Sequence, residues 1–468
     1  MSFNSLQYFL FLGAVVGLYA HLGRRAQNVL LLLASYAFYG AWDWRFLGLI
    51  GLSTGVDYWA GLRIGAAEDP RARRRWLLLS LSVNLGLLFA FKYFGWFADS
   101  LVALATLAGF ELQPSSALVR FALPVGISFY TFQTLSYTLD IYRGELEARR
   151  SLLDFAVFVA FFPQLVAGPI ERAAHLLPQF ERERRVRVED VQAGAWLILL
   201  GLFKKVVIAD GMARLATIVF DHPSNVQGWD VPIGVWAFAW QIYGDFSGYT
   251  DMARGSARLM GFDLMRNFRM PYFASNPREF WSRWHISLST WLRDYLYVPL
   301  GGNRGGTWAT YRNLSLTMLL GGLWHGAAWH FVAWGAYQGA LLVIHRALAG
   351  KGGEPRWSLR RGLQVAAFFQ AVCLGWVLFR VPSLGRIPEL GGRLLEGGYD
   401  PAFLSAAACL FALLLPLLAL HVAIERSGDE LVILKQRPWL RSVTYATLLA
   451  GIAVFGVRSG PQFIYFQF

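Results

Sequence analysis

Long apolar segments recur along almost the whole chain, and they constrain its fold more than any other feature. A helix that crosses a bilayer needs about 20 mostly apolar residues, or fewer when it is packed. The chain of 468 residues is 56% hydrophobic and 16% charged, whereas about a quarter of a soluble protein is charged. We therefore predict an all-α polytopic membrane protein, one domain over residues 1–468. About twelve spans are predicted, near 6–22, 28–42, 46–62, 76–97, 118–139, 193–220, 231–248, 313–330, 332–346, 362–380, 401–424 and 442–458.

The basic residues follow the pattern of membrane topology. The net charge is +13, and the charge clusters in short loops such as "RARRR" (71–75) and "ERERRVR" (181–187). The segment 221–230, on the opposite side by alternation, has no Lys or Arg. Cytoplasmic loops carry such an excess. The pattern predicts both termini outside the cytoplasm, with the lipid bilayer and not nucleic acid as the partner of the basic face.

Two regions depart from simple spans. Residues 152–170 are apolar but contain Pro163, Gly168 and Pro169 between basic flanks, which favours a re-entrant segment. Residues 249–312 are long, basic and amphipathic, which favours interfacial or re-entrant helices on the cytoplasmic face.

Inside the second region a helix start can be predicted from the residue types. Asn276 or Ser275 is a suitable N-cap, with Pro277 at the first helical position. Apolar positions then recur at helical spacing, namely Phe280, Trp284, Leu288, Trp291 and Tyr295.

Three histidines, His285, His325 and His330, lie within apolar stretches among Trp and Gly. An imidazole without hydrogen-bond partners in hydrocarbon costs a few kcal/mol, so each serves either as a structural hydrogen-bonding group or as a functional one. Around His325 the side-chain bulk is reduced by Gly321, Gly322 and Gly326. His325 and His330 are five residues apart, on different helix faces, and 313–346 contains no Asp or Glu, which disfavours a metal site. His325 is the natural candidate for a base that accepts a proton from a hydroxyl.

Several longer motifs resemble one family along the whole chain. They are "FWSRWHISLSTWLRDYLYVPLGGNRGG", "LGGLWHGAAW", "QIYGDFSGYTDMARG", "LPVGISFYTFQTLSYTLDIYRG", "FFPQLVAGPI" and the chain end "FIYFQF". Together they are similar to the membrane-bound O-acyltransferase (MBOAT) family. The resemblance implies helices that surround a tunnel, with the acyl donor approaching from inside and the acceptor from outside. It also implies transfer of acetyl groups to periplasmic partner proteins that modify an exopolysaccharide, with alginate as the first expectation.

The resemblance assigns roles to residues. His325 corresponds to the invariant family histidine and His285 to the second one. We expect Trp324, Gly322 and Gly326 to line the tunnel. An acetyl thioester such as acetyl-CoA is the expected donor, with no bound cofactor. We expect the basic region to bind the acyl donor. Lipid phosphate headgroups are the alternative ligand of its arginines. The residues proposed for donor binding are Arg283, Trp284, Arg293, Asn303 and Arg304.

The chain end suggests a second reactive group. Tyr465 offers a hydroxyl on a flexible tail that could reach the outer tunnel mouth and accept the acetyl group, while interfacial anchoring of the aromatic residues is the alternative. Asp245 and Asp251 are interpreted as structural partners of nearby arginines.

Other functions stay open at this point. The polymer could be cellulose, peptidoglycan or a teichoic acid that receives D-alanine. A channel would favour carboxylates in the spans and symmetric halves, which are not evident in the sequence. A scaffold would not need a glycine-flanked histidine in the bilayer.

Overall fold

The computed structural model describes residues 1–110, 123–166, 168–348, 358–458 and 460–466. These residues form helices and connecting segments without any β-strand, which confirms the all-α prediction. The chain divides into two compact units. Unit 1 comprises Met1–Val186, Met260–Met265 and Gly326–Ala328, and unit 2 comprises the described residues of Arg187–Leu259, Arg266–His325 and Trp329–Phe468. The single-domain organisation stays a prediction.

The described residues of unit 1 form eight helices besides a short 3-10 turn. They are α1 (Leu6–Tyr19), α2 (Arg24–Asp43), α3 (Leu47–Ala66), α4 (Pro70–Leu107), α5 (Ile127–Arg143), α6 (Leu152–Ala160), α7 (Phe162–Leu165) and α8 (Ala173–Glu181). Residues 118–122 of the predicted span 118–139 lie outside the described residues. Helix α4 begins with Pro70 behind an Asp69 cap, which accepts bonds from the backbone N–H groups of Arg71 and Ala72, because both groups lack partners in the first turn.

The interior of unit 1 contains a buried carboxylate with neutral partners. Asp57 of α3 is fully buried and lies within the predicted span 46–62. The expectation that the spans lack carboxylates is therefore wrong here. Asp57 Oδ1 accepts from the Ser80 hydroxyl at 2.6 Å, and the Asn84 amide donates to both carboxylate oxygens at 2.9 Å. Ser80 also lies 3.0 Å from the Thr138 hydroxyl. The cluster therefore joins α3, α4 and α5.

Unit 2 is built from ten helices. They are α9 (Val188–Asp221), α10 (Asp230–Arg258), α11 (Pro277–Trp281), α12 (Ile286–Leu292), α13 (Gly306–His325), α14 (Trp329–Leu348), α15 (Leu359–Arg380), α16 (Arg386–Glu396), α17 (Pro401–Ser427) and α18 (Pro438–Phe455). A π-helical turn, Lys204–Ala209, interrupts the regular α-helix within α9.

Helices α9 and α10 approach each other closely through glycine. A Cβ atom on Gly201 would lie 2.5 Å from the Gly248 carbonyl oxygen, and a Cβ on Gly248 would lie 2.7 Å from the Gly201 oxygen. Small residues allow such backbone approach in membrane helix pairs. As a result, the π-helical turn of α9 faces the acidic positions of α10.

The amphipathic region contains two short helices with a break between them. Asn276 caps α11 by accepting from the Glu279 N–H at 2.9 Å, with Pro277 at the first position, which confirms the predicted start. The predicted helical spacing continues through 280–295, but His285 adopts a left-handed backbone conformation (φ 41°) between α11 and α12. The apolar residues keep their helical spacing on both sides of this break, so periodicity alone cannot reveal it.

Among the residues that the structure describes, five helices are long and apolar enough to cross a membrane by length and composition, namely α4, α9, α15, α17 and α18. The exact number of spans stays a prediction. The segment 152–170 forms α6 and α7 with an interruption at Phe161, and its re-entrant course also stays a prediction.

Candidate active site

His285 is held in a fully buried position by the segment that precedes it. The backbone N–H of Ile286 donates to the Asn267 carbonyl at 2.9 Å, and the Ser287 hydroxyl donates to Asn267 Oδ1 at 2.6 Å. His285 itself is 0% exposed. Its left-handed backbone costs roughly 1–2 kcal/mol for a non-glycine residue. The bonds that Ile286 and Ser287 donate to Asn267 hold the residues directly after His285 and so help to offset this strain.

His325 is the last residue of α13 and is also buried. Helix α13 packs directly on α14, because a Cβ on Gly322 would overlap the Phe331 carbonyl oxygen. The His325 ring lies edge-on to Trp334 of α14 at 5.1 Å and to Phe379 of α15 at 5.3 Å between centroids. Aromatic walls from two helices thus restrict the orientation of His325.

The two histidines converge on a third reactive side chain, Tyr465. The ring centroid of Tyr465 lies 5.7 Å from that of His325 and 6.2 Å from that of His285, and the two imidazoles are 6.4 Å apart. Trp324 lies beside both histidines, at 5.8 Å from His285 and 5.1 Å from His325. Residues 285, 325 and 465 are distant in sequence, so this cluster is a product of the fold.

The described part of the chain end, residues 460–466, is seated in unit 2. The Phe463 side chain is fully buried, with its ring 4.5 Å from Tyr249 and 5.7 Å from Phe246 of α10. Tyr465 is partly buried and lies 4.6 Å from Phe246. The prediction of a flexible tail is therefore wrong for these residues, since aromatic packing holds them against α10.

A buried charge cluster lies under the same segment. Lys205 Nζ lies 2.7 Å from Asp210 Oδ1 and 2.8 Å from Asp245 Oδ1. The three residues, which we call the lysine anchor, are each at most 3% exposed. Asp245 was expected to pair with an arginine, but its ionic partner is Lys205. Asp251 pairs with Lys204 at 2.6 Å, and Arg254 lies 3.7 Å away.

The lysine anchor was missed by the sequence analysis, although a signal was present. Two lysines interrupt the apolar run "GLFKKVVIAD" at residues 201–210, and a charge in such a segment requires a partner.

The residues predicted to bind the donor fall into two groups. Arg283 is buried, and its guanidinium forms a bidentate pair with Glu425 at 2.7 Å for each bond. Trp284 is 1% exposed and stacks on Phe280. In contrast, three residues are at the surface, namely Arg293, Asn303 and Arg304. Arg293 pairs there with its neighbour Asp294. Donor binding by any of them stays a prediction.

The remaining predicted positions have distinct surroundings. Trp324 is buried beside the histidines, Gly322 serves the contact between α13 and α14, and Gly326 follows His325 in the chain. Their role as tunnel lining stays a prediction. His330 Nδ1 lies 3.3 Å from the Leu378 carbonyl of α15, so His330 bonds to a neighbouring helix.

This arrangement is suited to moving an acyl group between oxygen and sulfur atoms. A neutral imidazole can accept the proton of a hydroxyl, and a phenol is an oxygen nucleophile once its proton is removed. Aromatic walls exclude water, which would otherwise hydrolyse an activated acyl group.

Comparisons with known proteins agree with this chemistry. Residues 143–349 match the MBOAT, membrane-bound O-acyltransferase, family model. The chain is 49% identical to the probable alginate O-acetylase AlgI of Pseudomonas aeruginosa, over 84% of this chain and 73% of that protein. It is 41% identical to the protein of the same name from Pseudomonas putida, over 98% of each. The peptidoglycan O-acetyltransferase of Helicobacter pylori is 36% identical, over 81% of this chain and 76% of that protein.

Two of these relatives are more than 40% identical and are covered over most of their length. Their similarity, the family match and the apolar helices support the same assignment. The chain belongs to the membrane-bound O-acyltransferase family and is a multi-pass membrane O-acyltransferase.

Proposed function

We propose that this enzyme passes acetyl groups from a cytoplasmic thioester donor across the bacterial inner membrane for O-acetylation of an exopolysaccharide. The observation that carries the proposal is the convergence of His325, His285 and Tyr465 within 6.4 Å between ring centroids. A base beside a hydroxyl nucleophile is the minimum that acyl transfer to oxygen requires.

The proposed transfer has balanced steps. His325 accepts the proton of the Tyr465 hydroxyl while Tyr465 Oη attacks the carbonyl carbon of the acetyl thioester. The carbon–sulfur bond breaks, and the imidazolium returns the proton to the departing thiolate. The acetyl group is then an ester on Tyr465. In the second transfer His325 accepts the proton of the acceptor's hydroxyl while its oxygen attacks the ester carbonyl carbon, the bond from that carbon to Tyr465 Oη breaks, and the imidazolium returns the proton to the phenolate. His285 lies beside both groups and positions the donor or the phenol.

The donor is proposed to arrive from the basic face. The segments 71–75, at the start of α4, and 181–187 carry the Lys/Arg excess typical of the cytoplasmic side. Arg293, Asn303 and Arg304 are exposed, and a charged surface of this kind suits the phosphates of acetyl-CoA. Both chain termini are then periplasmic.

The acceptor is proposed to be a periplasmic acetyltransferase partner that modifies alginate. The proteins that are 49% and 41% identical are named as probable alginate O-acetylases, which favours alginate over other polymers. Peptidoglycan is the second candidate, because the relative that is 36% identical is named for it. Cellulose, D-alanylation of teichoic acid and a non-catalytic acyl channel are weaker alternatives.

The proposal can be tested through polymer acetylation in cells that depend on this chain. We expect His325→Ala to lower the acetyl content of the polymer at least about 100-fold, the usual loss for a general base. His330→Ala is the matched control, since His330 lies on the adjacent helix and bonds to Leu378. It should retain acetylation at equal membrane abundance.

Two results would contradict the proposal. Normal acetylation in His325→Ala would favour a channel or scaffold over an enzyme. Normal acetylation of alginate together with lost acetylation of peptidoglycan in His325→Ala would transfer the proposal to peptidoglycan.

A further inference from the structure

Two described hydrogen bonds join the lysine anchor to backbone atoms of the chain end. Lys205 Nζ donates to the Pro461 carbonyl at 2.9 Å, and the Ile464 N–H donates to Asp245 Oδ2 at 2.7 Å. A third bond joins the Val457 N–H to the carbonyl of Val206, the residue after Lys205, at 2.9 Å. The chain is thus attached to α9 and α10 at three residues, namely Val457, just before the chain end, and Pro461 and Ile464 within it.

The Lys205 ammonium group is fully used by these contacts. It has three donor hydrogens, and it faces three acceptors, on Asp210, Asp245 and Pro461. Asp245 in turn divides its two oxygens between Lys205 and the Ile464 N–H. Asp210 is therefore paired with Lys205, while Lys205 and Asp245 pair with each other and also bond to the backbone of the chain end. An ion pair in a membrane segment has a large desolvation cost, which favours a specific role for it.

We propose that Lys205 and Asp245 are positioning residues that seat the chain end and thereby set the Tyr465 phenol against His325 and His285. The seating bond at Ile464 is one residue from Tyr465, so displacement of this backbone displaces the phenol. This inference rests on the proposed function for its consequence, but the seating itself is independent of any reaction.

Seating can be measured without activity, by thiol labelling. Ile464 is 4% exposed, so Ile464→Cys, in a chain whose Cys373 and Cys409 are replaced by Ser, should react slowly with a maleimide in native membranes. The substitution keeps the backbone N–H that bonds to Asp245. Adding Lys205→Met should raise the labelling rate at least about tenfold, because protection by burial is lost when the segment opens.

Lys204→Met is the matched control for this experiment. Lys204 is the preceding residue, is buried, and pairs with Asp251 at 2.6 Å. Its loss removes an equivalent buried ion pair without a bond to the chain end. We expect labelling of Ile464→Cys to change less than twofold. Equal labelling in the two lysine variants would overturn the proposal, whether both are slow or both fast.

A second variant tests the seat without replacing a buried charged residue. A Cβ on Gly460 would overlap the Asp210 carboxylate, so Gly460→Ala should displace the segment, raise labelling and reduce acetylation. Gly362→Ala, where an added Cβ meets nothing within 4 Å, is its control. If Gly460→Ala leaves labelling slow, the seat does not exist as described.

The conservative variant separates positioning from general stability. Asp245→Asn keeps a carbonyl oxygen that can accept from the Ile464 N–H, whereas Asp245→Leu has none. We expect Asp245→Asn to retain more protection and more acetylation than Asp245→Leu at matched abundance, and equal labelling of the two would overturn the role of this bond. Should Tyr465→Phe be active while Lys205→Met opens the segment, the acyl role of Tyr465 fails and the seating stands.

Discussion

Two buried aspartates, one in each unit, are stabilised by different chemistry. Asp57 of unit 1 accepts hydrogen bonds from the neutral side chains of Ser80 and Asn84. Asp245 of unit 2 contacts the Lys205 cation and a backbone N–H of the chain end. Both are at most 3% exposed. In each case the polar group must be satisfied inside the protein, because hydrocarbon offers no partners.

The difference indicates two roles for buried polar groups in one helical protein. The Asp57 cluster joins α3, α4 and α5 within unit 1. The lysine anchor joins α9 and α10 to a segment that carries Tyr465. The first cluster therefore contributes to folding, whereas the second also contributes to the geometry of the reaction.

The largest expected effect is at Tyr465, the side chain that the anchor positions. Tyr465→Phe removes only the hydroxyl, so we expect acetyl transfer to fall at least about 100-fold. The Phe463 and Phe246 contacts of the segment remain, so labelling of Ile464→Cys should stay slow. Transfer and labelling are measured on the same membranes. Full transfer by Tyr465→Phe would show that the anchor seats a segment without a reactive role.

The next effect should appear in unit 1 as a loss of stability. Asp57→Leu removes the carboxylate that accepts from the buried Ser80 hydroxyl and Asn84 amide, which costs about 3 kcal/mol. Thermal unfolding of the purified protein should report this loss, together with lower abundance. The acetylation per folded molecule should remain close to that of the unsubstituted chain. A selective loss of activity at normal stability would contradict the structural role of Asp57 and end the contrast with Asp245.

The sequence predicted the parts of this contrast that depend on local pattern. Apolar segment length predicted the helices because bilayer thickness sets that length, and residue type predicted the Asn276 cap. The tryptophan and glycine neighbours drew attention to His325. In each case the signal lies within a few residues of the position concerned.

Other parts depend on contacts between distant residues and were not predictable in this way. Lys205 bonds to Pro461, 256 positions away, and the bond uses a backbone carbonyl, which has no residue type to recognise. The left-handed conformation of His285 interrupts an apolar period that continues unchanged. The pairing of Asp245 with lysine follows from the approach of α9 and α10 at Gly201 and Gly248.

Glu171 of unit 1 is a further buried carboxylate. It differs from both aspartates because its side-chain partner, His175, can gain or lose a proton near neutral or alkaline pH. Glu171 is fully buried; its Oε1 accepts from the Met265 N–H at 2.6 Å, and its Oε2 lies 2.8 Å from His175 Nδ1. Asp263 and Glu171 raise the pKa of His175 to about 10, first through Asp263 and then through Glu171. The imidazole is ordinarily half-protonated near pH 6.5. The imidazole is thus protonated at neutral pH and loses its charge only in alkaline solution.

The smallest expected effect is a pH-dependent change in stability at this histidine. Because the folded pKa is raised, the protonated imidazole contributes its full stabilisation below about pH 6.5, and the contribution is lost as the pH rises to about 10. His175→Gln keeps a neutral donor but cannot be protonated. The melting temperature of the unsubstituted protein should therefore exceed that of His175→Gln most at pH 6, and the difference should shrink towards pH 10. A difference that is constant across this range would mean that Glu171 is stabilised as Asp57 is, by hydrogen bonds without net charge. A difference that shrinks would mean that Glu171, like Asp245, is stabilised by a positively charged partner.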